Sequence, residues 1–138
     1  MILIDVGNTN IVFAVSVNKK IKNIKRIDTN KEVKSFNNIV SKIIKIYLNL
    51  NCLKNSKTAI ISSVVPNINS HIIKILKLHK IKVYVLKPKD MLPYFKIDYD
   101  LNEIGADRIA NSAAVIDYKI QNSICLLYTS DAADETCR

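Results

Sequence analysis

Apolar runs of strand length alternate with polar turns along this chain. Six of them predict β-strands, at residues 2–6, 11–17, 21–27, 58–63, 81–86 and 123–127. Gly7-Asn8-Thr9 predicts a tight hairpin turn between the first two runs, and Asn18-Lys19-Lys20 predicts a second turn. The third run alternates imperfectly with lysines, which is typical of a strand with one face in water.

Three other segments show the three- and four-residue spacing of amphipathic helices. The first is expected to follow a cap at Thr29 or Asn30, the second to begin at Pro66, and the third to begin at Asn102 or Glu103. Ser62 and Ser63 precede the second helix, and we expect them to cap it rather than to contact a ligand. Residues 87–101 break the pattern and predict a loop with functional side chains. The order β-β-β-α-β-α-β-α-β predicts an α/β fold, a mixed sheet with helices on its faces.

The net charge changes this picture little. The 138 residues include 21 Lys and Arg against 12 Asp and Glu, a formal charge of +9, but only 3 of the basic residues are Arg. Nucleic-acid surfaces usually depend on Arg for bidentate contacts and on aromatic residues for stacking. We interpret the scattered lysines as a solvated surface and expect no nucleic-acid partner. A nucleic-acid-binding module stays open as an alternative, and steep salt dependence would be its signature.

The sequence also suggests a compartment. No stretch reaches the roughly 20 apolar residues that span a bilayer. Residues 1–10 lack the basic region and cleavage site of a secretory leader. The cysteines, Cys52, Cys125 and Cys137, are too widely spaced for a disulfide framework or a paired metal site. We expect a cytoplasmic protein with no membrane partner.

Asp5 is a charged residue that follows an apolar run and stands just before the Gly7-Asn8-Thr9 turn. A carboxylate there can hold hydrated Mg²⁺ near a polyphosphate, and the glycine lets the backbone approach a phosphate closely. Asn8 and Thr9 can donate hydrogen bonds to phosphate oxygens. The alternative is an ordinary hairpin turn whose polar side chains satisfy the backbone. Burying an unpaired charge is costly, which favours the phosphate-binding interpretation.

A second polar group is Gly105-Ala106-Asp107-Arg108. Gly105 costs about 1 kcal/mol relative to alanine inside a helix, so it indicates a helix start or a close approach by a ligand. Asp107 can act as a general base toward a hydroxyl, and Arg108 can orient an anion. Alternatively, Asp107 complements the helix dipole and Arg108 lies on the surface.

Three stretches, IDVGNTNIVFAV, SSVVP and GADRIANSAAV, resemble the type III pantothenate kinases in their order and approximate spacing. These kinases belong to the superfamily of acetate and sugar kinases, Hsp70 and actin. The resemblance covers residues 1–127 and implies the N-terminal lobe of an actin-like ATPase, a ribonuclease-H-like α/β fold with a mixed sheet and flanking helices. The implied activity is ATP-dependent phosphorylation of pantothenate to 4'-phosphopantothenate, the first step of coenzyme A biosynthesis.

The resemblance also implies roles for individual residues. A nucleotide-binding motif would comprise Asp5, Val6, Gly7, Asn8, Thr9, Asn10, Ile11 and Val12. Pantothenate would contact Tyr99, Gly105, Ala106, Asp107 and Arg108. Asp5 would lie beside Mg²⁺ and the ATP phosphates, as the metal residue. Asp107 would be the catalytic base that accepts the proton of the primary hydroxyl.

Family members use ATP with Mg²⁺ and a monovalent cation (K⁺ or NH4⁺), and they are usually homodimers. A second phosphate motif, Asp-x-Gly-Thr, supplies the aspartate that binds the monovalent cation. It is expected after residue 127, where this chain has Tyr128-Thr129-Ser130-Asp131. Residues 128–138 contain no Ile or Asn, and we expect them to be foreign to the family. We therefore expect the C-terminal lobe to be missing and this chain to be nearly inactive alone.

Two further alternatives stay open. A non-catalytic relative or a regulatory fragment would bind pantothenate or a protein partner through half of a cleft. Another sugar or acid kinase of the same superfamily would share the hairpin motif, but the GADR stretch at 105–108 argues against it.

Overall fold

The computed structural model describes residues 1–29, 33–50, 57–94 and 96–117. The strand predicted at 123–127 and the tail at 128–138 lie outside these residues. The elements are β1 (Ile2–Val6), β2 (Asn10–Val17), β3 (Lys20–Asp28), α1 (Val33–Leu48), β4 (Thr58–Ser63), α2 (Pro66–Leu78), β5 (Lys82–Val85) and α3 (Ala106–Asp117). A short 3₁₀ helix, Pro88–Met91, lies within the predicted loop before α3. None of the helices described is long and apolar enough to cross a membrane.

The strands form one mixed sheet in the order β3-β2-β1-β4-β5. β1 pairs antiparallel with β2, and β2 with β3, because each pair is joined by a hairpin. β1 pairs in parallel with β4, and β4 with β5, because α1 and α2 carry the chain back across the sheet. This arrangement confirms the predicted α/β class and is consistent with the actin-like ATPase fold.

Alternation along β1 separates the two faces of the sheet. Ile2, Ile4 and Val6 are at most 2% exposed and point to the face covered by α1 and α2. Both helices contribute buried side chains to this core, namely Phe36, Val40, Ile43, Ile44, Tyr47, Ile72, Ile75 and Leu76. Leu3 and Asp5 point to the opposite face, where α3 packs against β4. We call these the helix-pair face and the α3 face.

The hairpin between β2 and β3 closes through Asn18 and Lys19, whose φ angles are 49° and 60°. Two positive φ angles are the type I′ geometry that matches the twist of the strands, and the predicted turn is confirmed. Asn23 also has a positive φ of 53°, at an irregularity where β3 shifts its register with β2. This bulge explains why the lysines of the third run alternate imperfectly.

Tyr47 on α1 reaches into this bulge. Its hydroxyl donates toward the carbonyl oxygens of Phe13 (3.0 Å) and Asn23, and its side chain is fully buried. Burial raises the pKa of Tyr47 to about 12, because the charged phenolate would be desolvated. Polar as well as apolar contacts therefore tie α1 to the sheet.

Helix α3 begins later than predicted. The start expected at Asn102 or Glu103 is wrong, because Asp100 holds the residues after it in a turn. The Asn102 amide donates to Asp100 Oδ1 (2.8 Å), and the Ile104 amide donates to the Asp100 carbonyl (3.2 Å). The helix starts only after Gly105, which supports the interpretation of that glycine as a helix start.

Candidate functional site at the β1–β2 hairpin and the start of α3

The hairpin between β1 and β2 ends in an exposed loop. The Gly7 amide donates to the Asn10 carbonyl (3.0 Å), which leaves Asn8 and Thr9 at the tip. A Cβ at position 7 would stand 3.2 Å from that carbonyl oxygen, so any larger residue requires the backbone to shift. The expected tight turn between the first two strands is confirmed, and Gly7 begins it without a positive φ angle. The tip presents backbone and side-chain donors to solvent.

Thr29, directly after β3, forms two hydrogen bonds with the backbone of this loop. Its hydroxyl donates to the Gly7 carbonyl (2.8 Å), and its amide donates to the Thr9 carbonyl (3.0 Å). The sequence predicts Thr29 only as a possible cap for α1 and gives no sign of these contacts. No local pattern reveals a hydrogen bond between residues 22 positions apart.

Asp5 lies on β1 beside the loop, with its carboxyl on the α3 face. Its register partners are Val12 on β2 and Ser62 on β4. The residue stays open to solvent on one side, yet the atoms packed on its other side desolvate the carboxyl. This desolvation raises the pKa of Asp5 above its usual 3.8, and the negative charge of Asp107 raises it further. A cation at this position would relieve both effects.

Two serines at the end of β4 have different environments. The Ser62 hydroxyl lowers the pKa of Asp5 in part, but its contact falls short of full hydrogen-bond geometry. Ser62 Oγ is thus buried without a complete hydrogen bond to any described residue. Ser63 Oγ accepts a hydrogen bond from the Val65 amide (3.1 Å). The predicted capping of α2 is wrong, because Val65 is the N-cap residue and no side chain caps the helix.

Helix α3 brings Asp107 to the same end of the sheet. A Cβ at Gly105 would clash with Asp107 Oδ1 and would lie 3.5 Å from Val64 Cγ1. The glycine therefore leaves room for the carboxylate to fold back over the helix start. From there its charge acts on Asp5. Two carboxyls from separate sequence motifs thus share one site.

The other predicted site residues differ in accessibility. Val6 and Ile11 are fully buried on the helix-pair face, so their side chains do not reach the site. Ala106 is buried and Arg108 is exposed at the start of α3. Tyr99 is 57% exposed, and its hydroxyl makes no hydrogen bond with the described residues. The fold therefore brings together the hairpin loop, Asp5 and Asp107.

The chemistry of this site suits a phosphate with a bound cation. In the part of the chain that the structure describes, no three His, Cys, Asp or Glu side chains gather as a metal site. A divalent cation beside Asp5 would take its other ligands from water and polyphosphate oxygens, as Mg²⁺ does in nucleotide sites. The exposed tip of the hairpin, Asn8 and Thr9, and the incompletely bonded Ser62 hydroxyl fit such a group.

Comparison with known proteins identifies the family. The family model for type III pantothenate kinase matches residues 1–130. A curated type III pantothenate kinase from Ehrlichia canis (strain Jake) is 32% identical over 117 residues, which are 83% of this chain and 44% of that protein. The solved structure named "Crystal structure of PH0822" matches 72% of this chain and 83% of that chain at 17% identity. Its TM-score is 0.31, too low to indicate a shared fold.

The family model covers every residue that the structure describes. The matched part of the chain spans 44% of the length of its Ehrlichia relative. The matched region contains both the β1–β2 hairpin and the start of α3, the two segments that form the candidate site. The resemblance found in the sequence is confirmed, and the chain belongs to the type III pantothenate kinase family.

Proposed function

We propose that this chain is the N-terminal part of an enzyme that transfers the γ-phosphoryl group of ATP to pantothenate. The observation that carries the proposal is the juxtaposition of the hairpin loop, Asp5 and Asp107 at one end of the sheet. Phosphoryl transfer depends mainly on positioning and on neutralising charge. The amides of the hairpin loop would position the phosphates, and Asp5 would hold the cation that neutralises their charge.

The hairpin loop holds the nucleotide in this proposal. Backbone amides at Gly7–Thr9 and the Asn8 and Thr9 side chains donate to the phosphate oxygens. Asp5 and the Ser62 hydroxyl hold Mg²⁺ and its water beside the phosphates. When bound, Mg²⁺ neutralises charge that develops on the phosphoryl oxygens.

Asp107 performs the acid–base step on the acceptor. Its carboxylate takes the proton from the primary hydroxyl of pantothenate, and the hydroxyl oxygen forms a bond to the γ-phosphorus. The bond from that phosphorus to the bridging oxygen breaks, and ADP leaves with the electron pair. Arg108 pairs with the pantothenate carboxylate, while Gly105 and Ala106 bring the backbone close to the substrate. Tyr99, exposed before α3, adds a further contact to the substrate.

A second lobe completes the enzyme. Residues 1–127 form one lobe, and the full-length protein supplies the second phosphate motif with its K⁺ or NH4⁺ ligand. The same longer protein forms a homodimer in the cytoplasm. One lobe does not close around ATP, so the 138-residue chain is nearly inactive alone.

The test begins with resequencing of the parent locus past the codon for Leu127. If an Asp-x-Gly-Thr motif and about a hundred further residues follow, the extended protein should show K⁺-dependent phosphorylation of pantothenate. Asp107→Asn should then lower kcat at least about a hundredfold with little change in KM for ATP. Asp117→Asn, at the other end of α3, is the matched control and should retain activity.

Two outcomes would contradict the proposal. Turnover by the 138-residue chain alone would show that the second lobe is dispensable. Undiminished kcat in Asp107→Asn would remove the proposed base. An extended protein that binds pantothenate without phosphorylating it would instead support the non-catalytic relative.

A further inference from the structure

Thr29 is one of two deeply buried hydroxyl residues in the described ranges, and Tyr47 is the other. Thr29 is 6% exposed, and apart from the Tyr47 phenol no polar or charged side chain described here is buried to that degree. Buried hydroxyls are retained where they complete a hydrogen bond, since an unpaired one is costly. The partners of Thr29 are therefore informative about what its burial achieves.

Thr29 engages both carbonyls that flank the tip of the β1–β2 loop. The hydroxyl donates to Gly7 O (2.8 Å) and the amide donates to Thr9 O (3.0 Å). In a regular two-residue hairpin the Gly7 carbonyl would accept from the Asn10 amide, which closes the loop. Here only the reverse bond is made, from the Gly7 amide to Asn10 O. Thr29 has taken the place of that closing donor.

The position of one carbonyl determines the direction of the next amide. A trans peptide is planar, and its C=O and N–H point to opposite sides. Every described peptide bond is trans. Because the Gly7 carbonyl turns back toward Thr29, the Asn8 amide of the same peptide plane points away from it. Asn8 is exposed, and its amide donates to none of the described residues.

We infer that Thr29 is a positioning residue for anion binding, which turns the Gly7–Asn8 peptide so that the Asn8 amide faces an incoming phosphate. The inference rests on the proposed function, in which this loop receives the phosphates of ATP. Thr29 touches no ligand itself and acts through the Gly7 carbonyl. Without its hydroxyl, that carbonyl turns to the Asn10 amide and the Asn8 amide turns with it.

The experiment compares Thr29→Val with the unmodified chain. Valine keeps the shape and removes the hydroxyl, Thr29→Ser restores the donor, and Thr58→Val is a matched change at the far end of β4. The first readout is the chemical shift and hydrogen exchange of the Asn8 amide without ligand. The second is titration with Mg²⁺ and inorganic pyrophosphate. Thr29→Val should shift the Asn8 amide and weaken pyrophosphate binding about tenfold, while the other two variants match the parent.

The two readouts separate this inference from the proposed function. An Asn8 amide that is unchanged in Thr29→Val overturns the inference, whether or not pyrophosphate binds. Equal pyrophosphate affinity in Thr29→Val and the parent also overturns it. A parent chain that binds no pyrophosphate counts against the proposed nucleotide site, and the Asn8 amide alone then decides the role of Thr29. If Thr29→Val does not fold, Thr29→Cys, whose thiol is a weaker donor, gives the same comparison.

Discussion

The two faces of the sheet differ sharply along a single strand. On the helix-pair face, β1 contributes Ile2, Ile4 and Val6 to a core that α1 and α2 close completely. On the α3 face, the same strand contributes Leu3 and Asp5, and Asp5 remains open to solvent. Successive residues of a strand point to opposite faces, so five residues serve both a core and a site.

The side chains that stabilise the fold and the side chains of the candidate site lie on opposite faces of the same sheet. The helix-pair face buries aliphatic side chains, which is the main favourable term in folding. The α3 face holds two neighbouring carboxyls and an incompletely bonded hydroxyl, each of which opposes folding. The chain tolerates an unfavourable polar site because the opposite face of the same strands stabilises the sheet.

The sharpest test of the comparison is a pair of neighbouring substitutions in β1. Ile4→Ala opens a cavity in the helix-pair core and should lower the free energy of unfolding by about 3 kcal/mol. Leu3→Ala, on the half-buried α3 face, should lower it by only about 1 kcal/mol, since its site is already partly solvated. Chemical denaturation of both variants measures the difference. Equal losses would show that the α3 face carries as much of the core as the helix pair does.

A smaller loss of stability is expected at Tyr47, which brings a hydroxyl group into the helix-pair face. Tyr47→Phe removes the donor to the Phe13 and Asn23 carbonyls and should lower the free energy of unfolding by about 1 kcal/mol. The pKa of Tyr47 is raised from 10 to about 12 in the folded state. The unfolded chain therefore loses this proton first, and the stability that Tyr47 contributes falls as pH rises from 10 to 12.

Denaturation at pH 9 and pH 11 checks the sign of this effect. The gap between the parent and Tyr47→Phe should narrow at the higher pH. A gap that stays constant would mean that the hydroxyl is not held in the neutral form by burial.

The smallest change in stability is expected at Asp5, and it has the opposite sign. Asp5→Asn removes a carboxylate that burial and Asp107 disfavour, so the variant should be slightly more stable than the parent at neutral pH. Because the pKa of Asp5 is raised above 3.8, ionisation opposes folding only above that pH. The advantage of Asp5→Asn should shrink as pH falls toward 3.8. Binding of Mg²⁺ with pyrophosphate should weaken in the same variant, and a variant that loses stability instead would contradict the account.

Much of this fold is predictable from local patterns. The apolar runs predicted β1 and β4 at their observed bounds, and Pro66 predicted the first residue of α2. The DxGNT and GADR stretches predicted both halves of the candidate site before their proximity was known. Periodicity and helix-start chemistry act over a few residues, and a single sequence displays them directly.

The features that the sequence patterns do not predict depend on contacts that compete with a helix or that join distant residues. The late start of α3 reflects Asp100, whose carboxylate and carbonyl hold the chain in a turn against a good helical pattern. The role of Thr29 depends on a partner 22 residues away. The bulge at Asn23 shifts the periodicity on which the strand prediction relied. Asp100 competes with the helix through bonds two to four residues apart, whereas Thr29 acts across 22 residues.

The bulge at Asn23 has a consequence for how copies of this protein meet. Within the described residues β3 pairs with β2 alone, so its other edge has no neighbouring strand and is open to a strand of a second molecule. Exposed Ile21 and Ile24 would add to the attraction. A bulge twists such an edge, and closely spaced cations repel a second copy of it. Four basic residues serve this purpose here: Lys20, Lys22, Lys25 and Arg26. Part of the positive charge thus protects the protein against aggregation.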